Sequence, residues 1–455
     1  MIGRKLEFLK ILGVALVGLL LAGMACRPVF AGEPQATISL KESIEEALRK
    51  SATLHSAKEG VQVAEAQRKE AFTAFLPRFS TSYSYKRLHE NPEFNSFIPL
   101  LNNRPFTVQS GTKDNYNWAV EVRQPLFSGG GILANYQVYS VGLEAVRQEE
   151  RTAVLDLVLE VQTAYLNIVK AEKLREVAAS SLDRLTAHRD MTRHFYEVGV
   201  VPRNDLLYAE VELANGQQAL LRAENGVAMA KAKFNTLLRR TMDTPVSVED
   251  ILAYAPYNKA FDDCLKTALE KRTEIKTYNF KVEQAQKSVQ LARSEYYPAV
   301  NLVGNYSRFG DDPGVSGSPY QDSESWYVMA MANWNFWEWG KTKNRVDASL
   351  SRERQANDAL VNVRDSISLE LKNAWLLLKE AEKQIAVSRT AVVQAEENYR
   401  INTERYREQV STATDVIDAQ TLLTKANSDH TQALSDYQIS LARLKRAMGL
   451  EYDQD

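Results

Sequence analysis

The chain has 455 residues, 44% of them hydrophobic, enough for two or three ordinary domains or one large core. Its net charge of −2 gives no bulk attraction to nucleic acid or anionic lipid, and a negative mean hydropathy argues against a bundle of membrane-spanning helices. An enzyme is disfavoured too: the five histidines include no HExxH, no cysteine partner suits a nucleophile, and no glycine-rich loop cradles phosphate, so neither cofactor nor metal is expected.

Arg4, Lys5 and Lys10 precede the apolar run "ILGVALVGLLLAGMAC" and then "PVFAGEP". That order predicts a secretory signal peptide over residues 1–31, cleaved after Val29-Phe30-Ala31, with a retained anchor as the alternative. Cys26 is disfavoured as a lipoprotein signal, because "GMAC" lacks the apolar residue expected three places earlier. Cleavage leaves Cys264 alone, and its apolar place in "AFDDCLKTALEK" reads as a small buried hydrophobe.

A short amphipathic helix is expected over "SLKESIEEALRKSATL", from Ser39 to Leu54. The period then changes to two. In "RFSTSYSY", Phe79, Thr81, Tyr83 and Tyr85 point one way and the serines between them the other; in "NYNWAVEVRQPLF", Tyr116, Trp118, Val120 and Val122 oppose Asn117, Ala119, Glu121 and Arg123. Strands are expected at about 78–86 and 115–127, with a polar loop between them. No proline lies between Pro125 and Pro202, so a helix from about Gly131 to Val198 would run roughly 100 Å at 1.5 Å per residue. A tight turn and a further helix follow.

The whole pattern then returns. Ala47 and Pro77 match Ala268 and Pro298 at an offset of 221; Phe127, Gly130, Tyr196 and Asp205 match Trp337, Gly340, Tyr406 and Asp415 at an offset of 210. The chain thus reads as two repeats, 38–240 and 260–450, joined by a proline-bearing linker at 241–259. Each runs helix, strand, strand, long helix, turn, helix, the second with strands at about 298–306 and 325–337. Leu371, Trp375, Leu378, Glu382 and Ile385 form a heptad seam that tolerates one charge.

Four such strands cannot close a barrel, and open edges are not tolerated in lipid, so further strands must come from other copies of the chain. Two copies give eight strands and three give twelve; spacing alone does not choose. Trp334, Phe336, Trp337 and Trp339, with Trp118 and Phe127 in the equivalent hairpin, suit a bilayer interface, the competing reading being a soluble β-sandwich with an aromatic core.

Signal peptide, duplication, "QPLFSGG" before a long helix, and the paired turns "YEVGVVPRNDLLYAE" and "YREQVSTATDVIDAQ" resemble the TolC family of outer-membrane efflux proteins, from about Ser39 to Leu450. The resemblance implies a mainly α protein with a transmembrane β-barrel. It implies a homotrimer, with twelve strands in the outer membrane and a periplasmic α-helical tunnel. Its partners would be the lipid bilayer, a periplasmic adaptor and an inner-membrane pump, and its role the exit duct of a tripartite efflux or type I secretion system. A periplasmic adaptor or secreted coiled-coil scaffold is the rival, though it would not carry two complete copies with amphipathic strand pairs.

At the tips, Thr412 reads as the N-cap of the last helix, placing Asp415 at its third position and Asp418 one turn on, on the same face. Asp205 holds the matching place in the first copy, with Pro202 suited to the first helical position. Helix capping explains Asp205 and Asp415 without any channel. The resemblance adds that Asp415 and Asp418 line the periplasmic constriction, that Asp205 and Tyr406 belong to a tip network, and that Gly199, Val200, Pro202, Arg203, Ser411 and Thr412 form the adaptor-docking surface. Two departures stand out: Ser411 replaces an arginine of the family's closing network, and Gln409 replaces the glycine kept as Gly199. A latch here would be weaker or built from other residues.

Overall fold

The computed structural model describes residues 37–97 and 105–452; the expected signal peptide lies outside them. In chain order the first elements are α1 (Leu40–Lys50), α2 (Ala52–Thr73), β1 (Arg78–Arg87), β2 (Glu93–Phe97), β3 (Pro105–Gln109), β4 (Asp114–Phe127), α3 (Gly131–Glu197) and α4 (Arg203–Leu237). Then come α5 (Phe261–Lys271), α6 (Thr273–Arg293), β5 (Ala299–Gly310), β6 (Glu324–Asn333), α7 (Lys341–Arg407) and α8 (Ala413–Ala447). The rods α3 and α7 have 67 residues each, and α4 and α8 have 35 each.

The single short helix expected at the start of each copy is in fact a pair. At Ser51 the backbone turns extended (ψ 124°), and the serine hydroxyl caps α2 by accepting from the Leu54 amide. Arg272 (ψ 123°) breaks α5 from α6 in the same way, held by a fork on Glu370 with contacts of 3.1 and 2.6 Å.

The main sheet runs β1-β4-β5-β6, antiparallel throughout, and its edge strands β1 and β6 are unpaired among the described residues. Register puts Phe79, Thr81, Tyr83 and Tyr85 opposite Val122, Val120, Trp118 and Tyr116. The same face continues through Leu302 and Tyr306 on β5 to Trp326, Val328, Ala330 and Ala332 on β6. On the opposite face lie Ser80, Ser82, Ser84, Asn117, Glu121, Arg123, Asn301 and Asn305, with Glu121 and Arg123 ion-paired at 2.9 Å. The first face is largely apolar, with Arg308 beside Trp118; the second is largely polar on β1 and β4 and mixed on β5 and β6, where Val303, Met329 and Met331 join it.

Three details differ from the sequence expectation. The polar loop after β1 contains the hairpin β2–β3, where Phe94 pairs with Val108. β5 extends to Gly310, beyond residue 306. β6 stops at Asn333, short of 337, because the Trp334 indole donates to the Tyr296 carbonyl (3.1 Å) and draws the chain out of the ladder. At the strand-to-helix junction Gly129 is left-handed (φ +61°), and a Cβ there would lie 2.5 Å from the Ser294 carbonyl.

Near the sheet, α3 lies between α2 and α6, with α7 beyond α6; toward the far end, α3 lies between α4 and α8, with α7 beyond α8. Where partners change, two cores form. Ile44, Ala47, Leu54, Tyr165, Phe234 and Leu238 make one; Cys264, Ala268, Leu371, Leu378, Tyr437 and Met448 make the other, with Trp375 packed at its margin. Segment 241–259 straps both: the Tyr165 hydroxyl accepts from the Glu249 amide (2.7 Å), and the Tyr437 hydroxyl donates to the Ala255 carbonyl (2.5 Å). Buried Arg446 ties Asp156 on α3 to Glu274 on α6 at 2.6 and 2.8 Å.

Candidate functional site: the two tips and the sheet rim

Both long rods end in the same turn. After α3, the Val200 amide donates to the Phe195 carbonyl (2.8 Å) and the Gly199 amide to the Tyr196 carbonyl (3.0 Å), with Gly199 at φ +81°. After α7, Val410 bonds Arg405 (2.9 Å) and Gln409 bonds Tyr406 (3.1 Å), with Gln409 at φ +62°. Losing the glycine leaves the turn's shape intact and adds backbone strain.

Helix α8 starts at a reciprocal cap. The Thr412 hydroxyl accepts from the Asp415 amide (3.2 Å), while the Asp415 carboxylate accepts from the Thr412 amide (2.9 Å) and hydroxyl (2.8 Å). Those bonds, the backbone one first, hold the Asp415 carboxyl below its ordinary range, so it stays ionised. Asp418 is exposed, as is Asp415. Pro202 stands at the N-cap of α4, one place before the expected first helical position, and offers no side-chain cap; Asp205 follows in the first turn, half-buried.

Tyr196 and Tyr406 are equivalent in sequence and opposite in surroundings: Tyr196 is 39% exposed, Tyr406 only 2%. The Tyr406 hydroxyl meets Thr192 Oγ1 (3.0 Å), and its ring lies against His188 (5.1 Å) and Phe195 (5.6 Å). Burial raises the Tyr406 phenol, and the nearby Asp205 charge adds to the rise. Asp205 and Tyr406 are therefore neighbours, but the hydroxyl's partner is Thr192. Tyr406, Ala413 and Val416 form a small buried cluster with Met191, Phe195 and Tyr399 around it. Sequence reading missed His188, Thr192 and Phe195, although their spacing of 4 and 3 up to the turn was a visible seam. Gly199, Val200, Pro202, Arg203 and Thr412 are exposed, and Ser411 is half-buried with its hydroxyl on the Asn402 carbonyl (3.3 Å).

At the sheet's helical end lie Phe127, Trp334, Phe336, Trp337 and Trp339, all exposed; Trp339 is left-handed (φ +52°) and 87% exposed. Trp118 lies toward the other end of β4, its indole on Thr81 (3.0 Å) and its ring edge-on to Tyr306 (6.1 Å). The nine steps from Trp118 to Phe127 span roughly 30 Å along the strand, enough for a tilted strand to cross an apolar layer of about 25 Å. Trp326, 74% exposed, joins the far belt and was not singled out from sequence. Among the described residues no group of three or more His, Cys, Asp or Glu side chains is disposed to hold a metal ion.

A family model described as outer membrane efflux protein matches residues 43–238 and 264–450. The chain is 22% identical to the outer membrane efflux protein BepC of Brucella suis over 426 residues, 92% of this chain and 87% of that protein. Among solved structures it superposes on CusC with TM-score 0.77 at 16% identity, covering 93% of this chain and 96% of that one. The outer membrane protein VceC of Vibrio cholerae gives 0.76 at 17% identity, covering 91% and 97%.

Proposed function

Since the chain belongs to the outer membrane efflux protein family, and is an outer-membrane channel rather than an enzyme, we propose that it is the passive exit duct of a tripartite efflux or type I secretion system. The observation that carries this reading is the four-stranded sheet with one largely apolar face and two edges unpaired among the described residues. Such a sheet is stable in lipid only when sister copies close it. Three protomers would give a twelve-stranded barrel, each contributing two tandem repeats, 38–240 and 260–450, joined by 241–259. The helical edges support the same closure. Leu207, Val211, Leu221 and Met229 on α4, and Val361, Leu369, Val387 and Val393 on α7, are exposed apolar side chains on the two flanking helices. An α4 edge against the next protomer's α7 buries both. A periplasmic adaptor or secreted scaffold would have no use for the sheet.

In this reading the two turns face the cell interior. Asp415 and Asp418 form carboxylate rings at the periplasmic constriction, and the cap bonds that keep Asp415 ionised support a cation-attracting ring. Asp205 and Tyr406 belong to the contact that holds the tip. Gly199, Val200, Pro202, Arg203, Ser411 and Thr412 offer the surface to a periplasmic adaptor, which links the duct to an inner-membrane pump. The Asp415→Asn, Asp418→Asn double variant tests this in planar bilayers. It should lose block by divalent cations added on the periplasmic side while the open-channel conductance persists. Undiminished block would refute the ring.

A further inference from the structure

We infer that His188 is a proton-operated release between the two helical hairpins at the tip. Its imidazole is 5% exposed, covered by the Tyr406 ring at 5.1 Å, and lies beside the backbone of Ala413, the first residue of α8. Its Nε2 is sealed from solvent with no hydrogen-bond partner among the described residues. The carbonyl of the same residue accepts from Thr192 Oγ1 (3.0 Å), whose oxygen also meets the Tyr406 hydroxyl (3.0 Å). One residue thus joins α3, α7 and α8.

Among the described residues no acidic side chain is paired with the imidazole. On α3, Arg189 is paired with Asp190 (2.7 Å) and Arg193 with Glu210 of α4 (3.0 Å), while Arg184 lies over Tyr399. On α7 the facing groups are the phenols Tyr399 and Tyr406; on α8, Asp415 is engaged by Thr412; on α4, Asp205 acts on Tyr406. Burial dominates and pushes the imidazole down to about 4, against a smaller rise from the Ala413 backbone. A cation there would also sit at the positive end of α8. To hold a proton, the ring must reach water, which displaces Tyr406 and breaks its bond to Thr192. The equivalent position in the second copy is Asn398, so the device is one-sided: hairpin α3–α4 parts from hairpin α7–α8.

Spin labels at Val200→Cys and Val410→Cys, both exposed positions, measure that parting directly, since Cys264 is buried. In the full-length protein in detergent, the label separation should increase reversibly between pH 6 and pH 3.5. It should stay fixed in His188→Gln and in His188→Phe, either of which serves if it keeps the neutral-pH distance. No change in the parent protein, or the same change in the variants, overturns the inference. The conduit reading is tested separately by conductance over the same pH range. A label shift without a conductance change leaves the release standing and refutes only the tip's role as gate, on which the physiological meaning of the release rests.

Discussion

At the scale of single residues, Gln409 and Gly199 fill the same place in two copies of one turn, at φ +62° and +81°. A side chain in the left-handed region is strained where glycine is not. Gln409→Gly should therefore stabilise the protein by about 1 kcal/mol, and Gly199→Gln should cost about as much, read as opposite shifts of the urea unfolding midpoint. That shared turn was legible in the sequence, because tip geometry is written locally in Tyr, Gly or Gln, Val and Asp. The fate of Tyr196 and Tyr406 was not. Repeat alignment makes them equal, yet only Tyr406 points at the other hairpin, and which face meets the other copy is decided by packing. The same limit hid Thr192 and His188, whose partners lie more than two hundred residues away.

Among the elements, the breaks at Ser51 and Arg272 were the least visible, since neither glycine nor proline marks them. The long rods were plain for the converse reason: α7 holds neither glycine nor proline, and α3 holds no proline and, past its first residue, only Gly142. The junction where α4 ends shows how such breaks are secured. Arg240, just past α4, forks onto Glu46 of α1, with one contact at 2.9 Å, and Lys50 joins at 2.8 Å. The Arg240 hydrogen bonds bring the Glu46 carboxyl down to about 2, from 4.5. A lowered carboxyl stabilises the fold above its unfolded value and loses that contribution as pH falls from 4.5 toward 2. Allowing for solvent screening, Glu46→Gln should cost about 2 kcal/mol at pH 7. Parent and variant should draw together as pH falls from 4.5 and converge only below pH 2 in urea titrations. A gap that persists in acid would mean that packing, not charge, holds the junction.

For the whole molecule, the sheet order β1-β4-β5-β6 leaves β1 and β6 unpaired among the described residues, β1 on the margin of α2 and α4 and β6 on that of α7. Sequence implied that four strands need help, but it did not reveal that the sheet and the helical layer would be open along matching margins. That required the change of helix partners midway, which no local pattern encodes. Val211→Asp with Leu221→Asp places two charges in the α4 stripe, away from the intrachain cores. The variant should migrate as a monomer in native electrophoresis with its helix content unchanged. If the parent assembles as the proposed trimer and the variant does too, the α4 edge is not a subunit seam.

Because α3 and α7 run unbroken for 67 residues, the distance from bilayer to tip is a ruler fixed by residue count. Excising one heptad from each rod and from its antiparallel companion would draw the tips about 10 Å nearer the membrane and keep every apolar stripe in phase. If the chain serves as the proposed exit duct, an adaptor docking on the tips must match it in length as well as in surface.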